Sequence, residues 1–114
     1  MHESVITQNM LTTVLDEAKA AKARKVTRIN LIVGELSGVA SDCVQFYFDI
    51  LKKDTAAAEA TIDFKPVPAR LQCRDCQTEF HPEDELWVCP NCASQRVEIK
   101  EGRDCSIESI EVEP

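Results

Sequence analysis

Four cysteines in two Cys-x-x-Cys pairs carry the most chemical information in this sequence of 114 residues. The pairs are Cys73 with Cys76 and Cys89 with Cys92, and twelve residues separate them. Each pair can form a tight turn that directs two thiolates at one ion, and the segment between them is long enough to fold back. The spacing therefore predicts a closed, tetrahedral, structural Zn(Cys)4 site with no open position for a substrate.

Other chemistry uses the same pattern. Iron also binds four thiolates, and sequence alone separates the two metals poorly. Two disulfides or a thioredoxin-like redox pair are disfavoured, because a redox pair is normally single and lies between a strand and a helix. The two remaining cysteines, Cys43 and Cys105, lie within apolar patterns. We interpret both as small buried hydrophobic residues.

The tripeptide Met1-His2-Glu3 is a second candidate metal site. His2 can chelate through the α-amine of Met1, its own deprotonated amide nitrogen and its imidazole Nδ1, which close a five-membered and a six-membered ring. The amide nitrogen or carboxylate of Glu3 would complete the square-planar or tetragonal set that Ni(II) and Cu(II) favour. Most histidines near a terminus are frayed and solvated, but a helix that starts at Ser4 would hold this tripeptide against the protein.

Charge is distributed unevenly along the chain. Residues 1–70 carry nine basic and nine acidic residues, whereas residues 71–114 carry four and eleven, so the net charge of −7 belongs to the second part. A Zn(Cys)4 centre adds about two further negative charges. Because nucleic-acid binding needs basic residues that face phosphates, we expect no nucleic-acid partner. An acidic lobe is more typical of a protein-docking surface or a solvated face.

Composition also bounds the class of protein. The chain is 44% hydrophobic, contains no apolar run of transmembrane length, and lacks a secretory signal in its first fifteen residues. We therefore expect a cytoplasmic protein with reduced thiols and no membrane partner. The sequence has no nucleophile–base–acid constellation, so we expect no enzymatic activity. His81 lies between the cysteine pairs, and we interpret it as a surface residue in preference to a fifth ligand.

The hydrophobic pattern predicts the elements that position these groups. A helix capped by Ser4 runs to about Lys22. An alternating strand follows over residues 26–36, and Gly34 and Gly38 bracket the turn after it. One face of this strand carries Ile29, Leu31 and Val33, and the other carries Arg28 and Asn30.

The second half of the predicted body starts with an apolar helix that Ser41 or Asp42 caps. We expect its apolar residues, aromatic ones included, to pack in the core. These are Val44, Phe46, Tyr47, Phe48, Ile50 and Leu51. A second strand covers residues 60–67, where Pro66 is expected to stop pairing.

The metal-binding segment has few sizeable apolar residues, namely Phe80, Leu86 and Trp87. Metal binding is therefore expected to supply its folding energy. After Gly102 a last strand runs from Cys105 to Val112, and its alternation changes phase, which predicts a bulge near Glu108 and Ser109.

These elements predict an α+β fold, with two helices packed on a three-stranded sheet and an inserted zinc-ribbon-like lobe. The α+β body, which includes the candidate nickel site, comprises residues 1–70 and is completed by the last strand, 103–114. The zinc-binding lobe comprises residues 71–102.

The chain resembles the HypA/HybF family of hydrogenase nickel-incorporation proteins over essentially its whole length. The resemblance rests on Met1-His2-Glu3-Ser4, Val33-Gly34-Glu35-Leu36-Ser37-Gly38-Val39, Phe46-Tyr47-Phe48-Asp49, Thr55, Ala60, the paired Cys-x-x-Cys motifs and Ser109-Ile110-Glu111-Val112. The family often has Gly after the second cysteine of a pair, where this chain has Gln77 and Ala93. Those turns are expected to be strained or to place another residue at positive φ.

The resemblance implies a nickel metallochaperone. It implies transferable Ni(II) at the N-terminus, with His2 as the essential side chain, and structural Zn(II) at the four cysteines. It also implies delivery of nickel to the large subunit of a [NiFe]-hydrogenase, in partnership with the GTPase HypB. The alternative is a zinc-stapled protein-interaction module with no exchangeable metal.

Overall fold

The computed structural model describes residues 3–83 and 87–114. Its elements in chain order are α1 (Glu3–Ala20), β1 (Lys25–Gly34), α2 (Ser41–Leu51), β2 (Thr61–Val67), β3 (Arg70–Cys73), β4 (Glu79–Phe80), β5 (Val97–Glu101) and β6 (Cys105–Glu113). Met1, His2 and Leu86, for which the sequence makes predictions, lie outside the described residues. Neither described helix has the length and apolar character needed to cross a bilayer.

The described strands form two three-stranded sheets. In the first, β1 lies between β2, to which it is parallel, and β6, to which it is antiparallel. Helix α2 supplies the crossover that the parallel pair requires. In the second sheet, β3 lies between β4 and β5, both antiparallel to it. We call α1, α2 and the first sheet the body, and the second sheet with its cysteine turns the lobe.

The predicted α+β class is confirmed: both helices share one core with the first sheet, and the lobe is inserted before the last strand. The predicted inner face of β1 is also confirmed, because its apolar residues are buried at alternate positions. The body core consists of Met10, Leu11, Val14, Ala18, Val26, Ile29, Leu31, Val33, Val44, Phe48, Ala57 and Ala60.

The first helix starts and ends differently from the prediction. Ser4 lies inside α1, because Glu3 is already helical, so its hydroxyl is not at a capping position. At the other end, the Lys22 N–H donates to the Lys19 carbonyl (3.0 Å) and the Ala23 N–H donates to the Ala18 carbonyl (2.9 Å). With Lys22 at φ 57°, these bonds form a Schellman-type end, and the helix stops at Ala20.

The start of α2 also corrects the prediction. Its N-cap is Ala40, and no side chain caps the helix. Ser41 and Asp42 lie within the first turn, and the Asp42 carboxylate accepts a hydrogen bond from the N–H of Cys43 (3.0 Å). The carboxylate stabilises this turn from inside, near the positive end of the helix dipole.

The expectation that the apolar residues of α2 are all core is wrong for half of them. Val44 and Phe48 are fully buried, whereas Phe46 and Ile50 are 61% and 51% exposed. Residues four apart share a face, while residues two apart point in nearly opposite directions. The helix therefore buries the stripe that faces the core and exposes a second apolar stripe. Cys43, predicted to be buried, is also exposed.

The two outer strands of the first sheet, β2 and β6, bear on the predictions for Pro66 and for the bulge. Pro66 does not stop pairing, since β2 continues beside β1 through Pro66 and Val67. Proline is tolerated there because β2 is an edge strand and needs no donor on its outer side. The predicted bulge is confirmed, because Asn30 pairs with Ser109 and Leu31 with Ile107, which leaves Glu108 as the extra residue.

Two smaller predictions concern interior packing. Cys105 packs against the body core while half-buried, and burial raises the pKa of its thiol. Among the described residues of the lobe, Leu71 is fully buried, whereas Trp87 is 36% exposed. Leu71 of β3 therefore contributes more to the described lobe core than Trp87 does.

Candidate metal centre

Two tight turns bring four cysteine sulfurs together. The Sγ atoms of Cys73, Cys76, Cys89 and Cys92 all lie within 4.8 Å of one another. The close pairs cross between the turns, with 3.5 Å from Cys73 to Cys92 and 3.5 Å from Cys76 to Cys89. A tetrahedron with Zn–S bonds of about 2.3 Å has edges of about 3.8 Å. The donor set therefore fits a tetrahedral four-thiolate Zn(II) site.

The two turns have the same backbone design. In each, the residue after the second cysteine donates its N–H to the carbonyl of the first: Gln77 to Cys73 (3.0 Å) and Ala93 to Cys89 (2.9 Å). Gln77 has φ 65° and Ala93 has φ 61°, a conformation that costs a non-glycine residue roughly 1 kcal/mol. Of the two alternatives expected for these turns, the structure shows a residue other than glycine at positive φ in each.

Burial is unequal across the cluster. Cys73, at the end of β3, and Cys89 are buried, whereas Cys76 is half-buried and Cys92 is exposed. All six cysteines of the chain are free, and the 3.5 Å sulfur separations are too long for disulfides of about 2.05 Å. A four-sulfur set of this shape suits tetrahedral Zn(II) or Fe.

Local hydrogen bonding favours the thiolate form of Cys76. The Thr78 hydroxyl, whose Oγ1 lies 3.2 Å from Cys76 Sγ, and the Asn91 side chain lower the pKa of Cys76 to about 6. At Cys92 the Ser94 amide favours the thiolate, but the neighbouring sulfurs and the partial desolvation of its own sulfur outweigh it and raise the pKa of Cys92 to about 12. Four sulfurs this close oppose a full set of negative charges, and a divalent cation removes that opposition.

Of the predicted nickel ligands, only Glu3 lies among the described residues. It is half-buried at the start of α1, and its carbonyl accepts a hydrogen bond from the Thr7 hydroxyl (2.6 Å). Thr7 is fully buried one turn along the helix. The backbone of Glu3 is therefore tied to the body core. Met1 and His2 lie outside the described residues, and their roles stay predictions.

His81 is exposed, as predicted, and is not a member of the cysteine cluster. Its Nε2 lies 2.9 Å from Oε1 of Glu35, a body residue, and its Nδ1 lies 3.7 Å from Glu83. Glu35 enters the resemblance only as part of a motif, and its contact with His81 spans 46 residues. No local sequence pattern signals a pair so far apart in the chain.

Two arginines of the lobe, near the cysteine turns, are paired with acidic neighbours. Arg74 pairs with Glu98 (3.5 Å), and Arg96 pairs with Asp75 (3.3 Å). These pairs are exposed and contribute little stability, but they occupy guanidinium groups that phosphates would otherwise contact. The charge of these two arginines is therefore largely neutralised.

Known proteins of one family match this chain over nearly its whole length. The family described as "Hydrogenase/urease nickel incorporation, metallochaperone, hypA" matches residues 1–112. A hydrogenase maturation factor HypA from Dehalococcoides mccartyi is 45% identical over 113 residues, covering 99% of this chain and 95% of that protein. A hydrogenase maturation factor HypA from Caldanaerobacter subterraneus subsp. tengcongensis is 42% identical over 114 residues, covering 99% and 100%.

Solved structures share the fold. The solution structure of the Ni metallochaperone HypA from Helicobacter pylori matches with a TM-score of 0.72 at 25% identity, covering 99% of this chain and 98% of that one. A second solution structure of a HypA protein matches with a TM-score of 0.76 at 25% identity, covering 98% and 96%.

Proposed function

The chain belongs to the HypA family of hydrogenase and urease nickel-incorporation metallochaperones, and we propose that it binds transferable Ni(II) at its N-terminus and delivers it for maturation of a [NiFe]-hydrogenase. In this proposal Zn(II) is the resident structural ion at the four cysteines, and Ni(II) is the cargo. The family match over residues 1–112 is the observation that carries the proposal. No catalytic role is proposed.

The proposed nickel ligands are the α-amine of Met1, the amide nitrogen and imidazole Nδ1 of His2, and the amide nitrogen or carboxylate of Glu3. This set requires that Met1 carries a free amine. The Glu3 N–H belongs to the first turn of α1, where N–H groups have no acceptor within the helix. It can therefore give up its proton to nickel without breaking a helical hydrogen bond.

Deprotonated amides would also reduce the electrostatic repulsion between Ni(II) and the N-terminus of α1. The N-terminus of a helix carries a partial positive charge that disfavours a cation. An amide nitrogen that has lost its proton neutralises one charge of Ni(II), so the complex is less positive than the free ion. Acid returns these protons and weakens binding, which gives the site a route to release its cargo.

The proposed partners are proteins. We propose the GTPase HypB and the large subunit of a [NiFe]-hydrogenase, in the cytoplasm, where thiols remain reduced. The relatives described as hydrogenase maturation factors support the hydrogenase as recipient. The acidic lobe supports a protein partner over nucleic acid, because phosphates would be repelled.

Native mass spectrometry of the zinc-loaded full chain with added Ni(II) tests the proposal. A carrier retains one zinc and gains one nickel that a chelator removes, whereas the alternative, a zinc-stapled interaction module, holds zinc only. His2→Ala should lose the nickel and keep the zinc. His81→Ala is the matched control and should keep both ions. Nickel uptake that depends on His81 and not on His2 would contradict the proposal.

A further inference from the structure

Both connections between the body and the lobe meet one turn of the body, at residues 34–36. Three successive backbone N–H groups at this turn donate to carbonyls at the two connections. These bonds run from Gly34 to Asp104 (2.9 Å), from Glu35 to Val67 (2.9 Å) and from Leu36 to Gly102 (2.7 Å). Val67 is the last residue of β2, where the connection into the lobe begins, and Gly102 and Asp104 lie on the connection out of it, after β5. This turn therefore fixes the point at which the lobe is attached.

The contact at this point is made by backbone. A Cβ on Gly34 would overlap the Gly102 carbonyl group, and a Cβ on Gly102 would lie 2.7 Å from Ala69 Cα. Gly102 has φ 88°, which glycine adopts at little cost. Two adjacent backbone connections can act as a hinge, since a few residues absorb the change in φ and ψ. The molecule measures 55 × 24 × 16 Å, so a small rotation at a hinge moves its ends far.

The Glu35 side chain adds a contact beyond this backbone junction. Its Oε1 accepts a hydrogen bond from the Ala69 N–H (2.9 Å) and lies 2.9 Å from His81 Nε2. Ala69 is buried on the first connection, whereas His81 follows β4 within the lobe. One carboxylate oxygen thus joins the body, the connection and the lobe.

The charges around His81 are mostly acidic. Glu35 faces it from the body turn and Glu83 from its own segment. The cleft beside it, of about 390 Å³, is also lined by Arg70 of β3, Glu79 of β4 and Glu101 of β5. Arg70 pairs with Glu79 at 3.5 Å, so no unpaired cation among these neighbours opposes a charge on the His81 ring.

We propose that Glu35 is a positioning residue that holds the lobe in one orientation on the body through its contact with His81, which we call the clasp. This contact weakens when His81 loses its proton. A protonated ring offers a charged N–H to the carboxylate, whereas a neutral ring offers only an uncharged hydrogen bond. The clasp depends on neither the identity of the metal nor nickel binding.

The pH window follows from the two groups. The hydrogen bond with Glu35 raises the pKa of His81 above its ordinary value of 6.5. The Ala69 amide and then His81 lower the pKa of Glu35 below 4.5. The ion pair therefore exists between these two pKa values, in mildly acidic solution. It is lost as pH rises through the raised pKa of His81, and also as pH falls through the lowered pKa of Glu35.

The first test is an NMR titration of the His81 ring in the zinc-loaded full chain. We expect His81 to titrate above ~6.5, the value for an unperturbed histidine. Glu35→Gln keeps an oxygen for the Ala69 N–H but removes the charge, so it should return the pKa of His81 toward that value. Glu83→Gln is the matched control, because Glu83 is 89% exposed and 3.7 Å away, and it should shift the pKa less. An unshifted wild-type His81, or a larger effect of Glu83→Gln, overturns the clasp.

The second test measures orientation. Residual dipolar couplings of body and lobe amides should fit one alignment tensor at pH 6 and two different tensors at pH 8.5. Glu35→Gln should require two tensors at both pH values. One shared tensor at both pH values in the wild type overturns the proposed positioning role, even where His81 titrates as expected, because the backbone junction alone would then fix the lobe.

Discussion

The Sγ atom of Cys73 lies 3.5 Å from that of Cys92, although 19 residues separate them in the chain. The first cysteine of one turn thus faces the last cysteine of the other, and Cys76 faces Cys89 in the same way. Because the close pairs cross between the turns, removal of one sulfur weakens the connection between the turns as well as the turn it belongs to.

Replacing Cys73 or Cys89 with Ser should therefore destabilise the lobe, since metal binding energy is a large part of the folding energy of such a small unit. The body has its own core and should stay folded. Zinc stoichiometry and the near-UV circular dichroism of Trp87 are the measurements. Cys43→Ser, an exposed thiol outside the cluster, should change neither. Full zinc occupancy and an unchanged Trp87 spectrum in Cys73→Ser would contradict the four-thiolate assignment.

Ala93→Gly should make the lobe more stable. Ala93 is exposed at φ 61°, and relief of this strain should exceed the added entropy of glycine in the unfolded chain, for a gain of up to about 1 kcal/mol. Chemical denaturation of the zinc-loaded protein measures the change. Ala58→Gly, at an exposed turn position outside the positive-φ set, should lose about 0.5–1 kcal/mol. Equal losses in both variants would argue against strain at Ala93.

Two phenylalanines of α2 provide a matched pair. Phe48 is fully buried and Phe46 is 61% exposed. We expect Phe48→Ala to lower the free energy of unfolding of the body by roughly 3–5 kcal/mol. Phe46→Ala should change it by no more than about 0.5 kcal/mol. Urea denaturation followed by far-UV circular dichroism compares them, and similar losses in the two variants would mean that the exposed stripe of α2 is covered.

The parts of the fold that depend on local pattern could be predicted from the sequence. The alternation of apolar residues predicts both the inner face of β1 and the bulge at Glu108, and the tertiary contacts agree with that alternation. The cysteine cluster could be predicted for a similar reason, because the spacing within each pair nearly determines the turn.

Other features depend on tertiary contacts that the local pattern of apolar and polar residues does not specify. Apolarity predicts that Phe46 should be buried, but only packing decides which side of α2 meets the core. A Ser near a helix start caps the helix only when it stands outside the first turn, and Ser4 stands inside. The contact between Glu35 and His81 joins a residue that follows β1 to one that follows β4, so nothing in either local sequence predicts it.

The central claim concerns the α-amine of Met1. Two residues fused ahead of Met1 convert this amine into an amide and leave the His2 imidazole intact. His2→Ala removes the imidazole and leaves the α-amine of Met1 intact. Both changes should abolish tight nickel binding and leave zinc and the fold unchanged, because each removes one anchor of the same chelate.

Calorimetric titration of the extended, zinc-loaded protein with Ni(II) tests this claim most directly. The proposal predicts that the tight binding event of the unextended chain disappears. A nickel affinity equal to that of the unextended chain would contradict the N-terminal site, since nickel would then be held through an exposed imidazole such as His81.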